Sequence, residues 1–172
     1  MKKLTNIDAR LSARMRIVER NRFSHTMAAI FAHSGDSWFW LLGLGLLWLL
    51  GTDYWRERAL TMIVGILITA GIVMLIKFTV RRSRPVGNWG GIYRKTDPHS
   101  FPSGHAARAA LLATLAIGLG PAWFGLLLLI WAPLVTLSRA AMGVHYLLDV
   151  VVGAVIGVIM GVLFLVPSFN IA

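Results

Sequence analysis

From Ala59 onward the chain is a series of apolar runs with few polar interruptions, and most are close to the roughly 20 residues that span a bilayer at 1.5 Å per residue. That feature fixes the solvent before it fixes the fold. With 57% apolar and only 14% charged residues in 172, a bilayer suits the chain and bulk water does not. The length fits one domain. The reading is an all-α integral membrane bundle of about six transmembrane helices, preceded by an amphipathic basic segment over residues 1–21, with residues 22–172 as a single membrane-embedded domain.

The helices are expected at about Arg22 to His33, Trp38 to Gly51, Ala59 to Val80, from just after Pro102 to Gly120, Ala122 to Ala140 and Val144 to Val166. The first two are short and meet at the polar turn Ser34 to Ser37, as a tilted or partly re-entrant hairpin would. The joins between later helices are short, so neighbours should pack antiparallel. No repeat or linker divides the chain. Counting crossings brings the polar loop 81–102 and the junction 138–145 to one membrane face. The same count sends the N-terminus and the turn Thr52 to Arg58 to the other, with nine basic residues there against seven on the loop face. That bias is too slight to fix orientation.

Lys and Arg outnumber Asp and Glu by 17 to 7, and the excess is clustered. Lys2, Lys3, Arg10, Arg14, Arg16, Arg20 and Arg22 are spaced as on an amphipathic helix lying at a membrane surface. A nucleic-acid arm would need a soluble remainder, so no nucleic-acid partner is expected. The basic N-terminus is long, and the first apolar stretch lacks a small-residue exit of the kind that marks a cleavable signal. With no cysteine, disulfides and thiolate metal sites are excluded.

The second basic cluster, Lys77, Arg81, Arg82, Arg84, Arg94 and Lys95, is opposed only by Asp97 and suits an anion. Ionisable side chains within a membrane domain are costly and mark function by default. Three groups converge on the loop face. His145 and Asp149 are four residues apart at the start of the last helix, where the carboxylate can hold the imidazole and leave one ring nitrogen free to attack phosphorus. Pro102-Ser103-Gly104-His105 opens a helix, whose unpaired N–H groups and positive dipole end favour phosphate, with His105 placed as an acid. Lys77, Arg84 and Arg139 supply cations matched to phosphoryl oxygens, Lys77 by a long stem reaching the interface. Each group alone has a bland explanation: a self-satisfied His-Asp pair, an ordinary Ser cap, snorkelling cations.

Together, Lys77 with Arg84-Pro85, Pro102-Ser103-Gly104-His105, and Ser138-Arg139 with His145 and Asp149 resemble the three motifs of the type 2 phosphatidic acid phosphatase superfamily, in order and with every motif position matched. The resemblance covers Lys77 to Asp149; earlier residues match in hydropathy only. It implies a six-span helical core in the inner membrane, a site facing the periplasm or extracellular space, and metal-independent, cofactor-free lipid phosphate hydrolysis. It also implies roles. His145 would be the nucleophile that becomes a phosphohistidine, Asp149 its orienting partner and His105 the acid. Lys77, Arg84, Ser103, Gly104 and Arg139 would cradle the phosphate, with Pro85, Pro102 and Ser138 shaping the motifs.

The substrate is left open among an isoprenoid diphosphate such as undecaprenyl diphosphate, phosphatidylglycerol phosphate and phosphatidic acid. Arg108, three residues after His105, is either a contact for a second phosphate or a partner of Asp36 or backbone carbonyls. Arg94, Lys95, His99, Trp89 and Tyr93 are either a headgroup contact and cover or an interfacial belt. Asp36 is given no catalytic role. The competing functions are a lipid-phosphate transferase using an acceptor other than water, a vanadate-dependent haloperoxidase on the same fold, and a non-catalytic lipid binder. Membrane lipids are the expected surroundings, and the oligomeric state is open.

Overall fold

The computed structural model describes residues 2–16, 21–86 and 97–166, with backbone only for 2–6. Seven helices occupy these residues: α1 (Lys2–Met15), α2 (Arg22–Ser34), α3 (Ser37–Leu50), α4 (Asp53–Val80), α5 (Gly104–Leu119), α6 (Ala122–Ala141) and α7 (Leu147–Leu165). Among the described residues the only β contact is an isolated antiparallel bridge between Ser83 and His99, which draws the two ends of the polar loop together. The expected boundaries agree within a few residues except at two starts. Helix α4 begins six residues early, with Asp53 in its first turn, where a carboxylate suits the positive helix end. Helix α7 begins only after His145, because the Asp149 carboxylate folds back to accept the Tyr146 backbone N–H at 2.8 Å.

Among the described residues, three helices are long and apolar enough to cross a membrane: α4 with 28 residues, α6 with 20 and α7 with 19. Helices α3 and α5 are apolar but shorter, and α2 is neither long nor apolar enough, so helix length and composition do not by themselves establish six spans. The outward apolar faces of α3, α4, α6 and α7 carry large exposed side chains such as Leu50, Leu75, Ile130 and Ile159, as lipid contact requires.

Helix α5 is the most enclosed element and packs on α6, α7 and α4. Its close approach to α7 depends on a stripe of small residues, since in lipid helices associate through backbone proximity rather than expulsion of water. A Cβ on Gly153 would collide with the Ser103 carbonyl, and one on Gly157 with the Ala107 carbonyl. The contact is pinned at its upper end by Ser103 N–H donating to the Asp149 carbonyl at 2.9 Å. Leu111, Leu112 and Leu115 of α5 meet Ile66, Leu128 and Val135 in the main core.

The N-terminus lies at the loop end of the bundle, not the opposite end that the crossing count gave it. In α1, Asp8 Oδ1 accepts the Leu148 N–H at 3.0 Å and Ser12 Oγ accepts the Leu147 N–H at 2.8 Å, so two open N–H groups of α7 are capped from another helix. Ala28, Ala29 and Ala32 of α2 pack against Met142 and Val144 at the same end. The miscount came from treating α2 as a crossing. It descends only partway, and its Gly35–Ser37 turn stops beside His105 and Arg108, from which α3 continues downward.

Candidate active site

A cavity of about 460 Å³ opens among the loop-end termini of α3 to α7. Lys77, Arg84, Gly104, His105, Arg108, Arg139 and His145 all line it, so seven of the nine described candidate residues meet in one space. Its other wall is apolar, built from Trp38 of α3 and Ile66, Ala70, Val73 and Met74 of α4. Arg94 and Lys95, like Trp89 and Tyr93, lie outside the described residues.

His145 is 2% exposed. Its Nδ1 lies 2.7 Å from the Ser100 carbonyl, an oxygen that only accepts, so Nδ1 carries the proton. Its Nε2 lies 3.2 Å from Arg84 Nη1, a group that only donates, so Nε2 is the unprotonated nitrogen and its lone pair accepts from Arg84 on the cavity wall. The expected carboxylate partner is displaced. Asp149 Oδ2 is 3.7 Å from Nδ1, beyond hydrogen-bond reach, because Oδ2 takes the Tyr146 N–H while Oδ1 takes Arg82 Nη1 at 2.7 Å. Asp149 is fully buried behind the imidazole, and the backbone carbonyl sets the tautomer. Burial, joined by the Arg139 and Arg84 charges and resisted by Asp149, lowers the His145 pKa to about 4.

Lys77 does not reach an interface. It is 3% exposed, and its Nζ donates to Asp97 Oδ2 at 2.5 Å and to the His99 carbonyl at 3.0 Å. Arg84 donates to the same Asp97 oxygen at 2.8 Å and to the Val144 carbonyl at 3.0 Å. A carboxylate oxygen thus bridges the two cations as a phosphoryl oxygen can. Arg139 is 1% exposed on the cavity wall. Ser103 is buried and does not line the cavity; its Oγ turns to the Ala106 N–H at 3.4 Å, so the cap of its own helix is its visible role. The first turn of α5 still brings its positive end to the cavity through Gly104.

The residue that the sequence reading passed over is Asp36. Its Oδ1 accepts from His105 Nε2 at 2.7 Å and its Oδ2 meets His33 Nδ1 at 3.2 Å. Burial raises its pKa, but the hydrogen bonds from His105 and His33 outweigh that and bring it down to about 2, so it stays ionised. Arg108 holds this turn, its guanidinium donating to the Gly35 carbonyl and the Ser37 hydroxyl, while it also lines the cavity. The rule that acids inside a membrane domain mark function, applied to Asp36, would have found it. Among the described residues, no three His, Asp or Glu side chains gather as a metal site would require. What the arrangement offers is an electropositive pocket with a lone pair at one side and an imidazole–carboxylate pair at the other.

Among curated proteins, the chain is 30% identical over 105 residues to an undecaprenyl-diphosphatase of Sulfolobus acidocaldarius, covering 59% of this chain and 51% of that protein. Over 134 residues it is 35% identical to a decaprenylphosphoryl-5-phosphoribose phosphatase of Mycobacterium tuberculosis, covering 76% of this chain and 72% of that one. The chain thus spans about half the length of the first relative and about three quarters of the second. Among solved structures it resembles Aquifex aeolicus LpxE, with TM-score 0.70, 26% identity and coverage of 88% of this chain and 92% of that one. It shares its fold with a transmembrane PAP2-type phosphatidylglycerolphosphate phosphatase from Bacillus subtilis, with TM-score 0.75, 22% identity and coverage of 95% and 85%. The PAP2 superfamily profile matches residues 58–171, from the first turns of α4 past the end of α7, and the chain belongs to that superfamily.

Proposed function

We propose that this protein is an integral membrane phosphatase that hydrolyses a lipid phosphate or diphosphate through a phosphohistidine at His145, without a metal. The observation that carries the reading is the shared cavity: His145 and the cations Lys77, Arg84 and Arg139 at one end, and an apolar wall of α3 and α4 residues at the other. The first suits a phosphoryl group and the second its hydrocarbon tail. The names of the curated relatives, an undecaprenyl-diphosphatase and a decaprenylphosphoryl-5-phosphoribose phosphatase, point the same way.

In this scheme the phosphate displaces Asp97 from Lys77 and Arg84, and Nε2 of His145 attacks in line. The Nδ1 proton stays on the ring, held by the Ser100 carbonyl, while Asp149 behind it steadies the positive charge that develops. In this scheme His105 enters the step as an imidazolium, its Nε2 proton held by Asp36, and gives its Nδ1 proton to the departing oxygen. It then takes one from the water that splits the phosphorus–nitrogen bond, and the enzyme is restored. The fixed cations balance charge on the equatorial oxygens throughout.

For placement, we propose that α3 to α7 cross the bilayer and that α1 and the start of α2 rest at the site face. The site then faces the cytoplasm, opposite to the outward face that the family resemblance implies, because the corrected position of α1 gathers the arginines on that side.

The test is phosphate release in detergent with chelator present, over undecaprenyl diphosphate, phosphatidylglycerol phosphate, phosphatidic acid and a soluble phosphomonoester. Turnover of at least one lipid, with loss in His145→Gln and an acid-labile phosphoprotein trapped in the wild type, is the expected result. A clear preference for the soluble compound sinks the lipid assignment, and normal turnover by His145→Gln sinks the nucleophile.

A further inference from the structure

Six threonines lie in described helices with described side chains, and five of them, Thr26, Thr61, Thr79, Thr114 and Thr136, return the hydroxyl proton to the carbonyl four residues earlier. That is the ordinary resting place of a helical threonine where water is absent. Thr69 does not do this. Its Oγ1 is buried without a hydrogen-bond partner, the residue is 2% exposed, and it lines the candidate active-site cavity. A buried hydroxyl without a partner costs free energy, so its position calls for an occupant of the cavity.

The level of Thr69 follows from how α4 and α5 pack. A Cβ on Gly104 would lie 3.7 Å from Val73, and one on Gly65 would lie 3.4 Å from Leu111, so the two helices run antiparallel in that register. Thr69 therefore stands opposite Arg108, four residues and about 6 Å below Gly104. Ser37 is at the same level through its hydrogen bond from Arg108, and it also lines the cavity. Below the phosphoryl cradle the cavity is thus polar for one more layer before the apolar Ile66.

We infer that Thr69 is a specificity-determining contact. Its hydroxyl donates to an oxygen of the substrate that lies between the scissile phosphate and the hydrocarbon, with Ser37 beside it on the same shelf. The substrate class is a lipid phosphate whose head carries such an oxygen, in a second phosphate, a sugar or an ester, and not a bare prenyl monophosphate. This rests on the lipid phosphatase reading and deepens it.

The test compares wild type, Thr69→Val and Thr69→Ser on a prenyl monophosphate, a prenyl diphosphate and a diacyl phosphatidic acid in detergent. Valine keeps the shape and removes the donor; serine keeps the donor. Thr69→Val should raise KM about three- to tenfold for at least one oxygen-bearing lipid, the size of one neutral hydrogen bond, with kcat nearly kept. The prenyl monophosphate should not respond, and Thr69→Ser should behave as wild type. Whichever of the diphosphate and the diacyl lipid responds identifies the source of the oxygen. An equal effect of Thr69→Val on all three lipids would mark a packing role and overturn the inference, as would no effect on any. If the wild type turns over none of the three, the lipid phosphatase reading itself fails, which is a different result from a silent Thr69→Val.

Discussion

At the level of single residues the site works by withholding partners as much as by supplying them. His145 is neutral because burial and two arginines disfavour its charge, and its tautomer is set by a carbonyl that cannot be titrated. A nucleophilic imidazole must be unprotonated, and a pKa lowered from the ordinary 6.5 to about 4 keeps it so well into acid. In a profile of kcat/KM against pH, the acid limb should therefore fall near pH 4 rather than near 6.5. A limb at 6.5 would mean that another group governs it. His105 carries a carboxylate directly on its Nε2. If Asp36 holds the acid, Asp36→Asn should lower kcat about 10- to 100-fold for an alkyl lipid phosphate, whose leaving oxygen needs a proton. An aryl phosphate, whose leaving group does not, should be nearly spared. Equal losses on both would assign Asp36 to folding. Asp36 was hard to find from sequence because its partner is 69 residues away. Lys77 was misjudged for a related reason: its acid, Asp97, comes from the far end of the loop.

At the level of elements, helix existence was legible because apolar length and the Gly and Pro joins write it directly into the sequence. The cavity cluster was legible because alternating helix directions return the polar junctions to one end. Depth and docking were not. Whether a 13-residue helix such as α2 crosses or stops depends on packing against Met142 and Val144, which no local pattern records. Helix α1 illustrates this best, since its basic face reads as a membrane-surface segment while its other face does something periodicity does not reveal. Asp8 and Ser12 are buried, cap Leu148 and Leu147, and Asp8 Oδ2 meets Arg82 Nη2 at 2.6 Å. Arg82 in turn holds Asp149, so α1 is linked through two ion pairs to the support behind His145. Asp8→Ala should cost about 1–3 kcal/mol and reduce turnover, because a buried charge-assisted network loses a member. Arg10→Ala, at an exposed position of the same helix, should stay within about 0.5 kcal/mol of wild type. Thermal unfolding and turnover in detergent read both, and equal behaviour of the two variants would reduce α1 to a surface segment.

At the level of the whole molecule, the docking of α1 changes the charge balance between the two ends. Arg10 and Arg14 of α1 and Arg16 just after it join Arg81 and Arg82 at the site end, and Arg16 donates to the Val86 carbonyl there. Arg56 and Arg58 stand at the other end, where Arg58 donates to the Leu119 carbonyl and Asp53 and Glu57 are neighbours. A bias that was nearly even with α1 on the far side becomes pronounced with α1 beside the site, and Lys and Arg near helix ends favour the cytoplasmic side. The site would then draw its lipid phosphate from the inner leaflet. The chain has no cysteine, so single-cysteine variants report orientation without background. Val86 is 86% exposed at the site end, and the Asp53 side chain is 94% exposed at the other. With a membrane-impermeant maleimide on intact cells, Asp53→Cys should label at once and Val86→Cys only after permeabilisation. The reverse pattern would put the cavity outside and leave the arginines of α1 as a device for docking on α7 and on lipid headgroups, not for orientation.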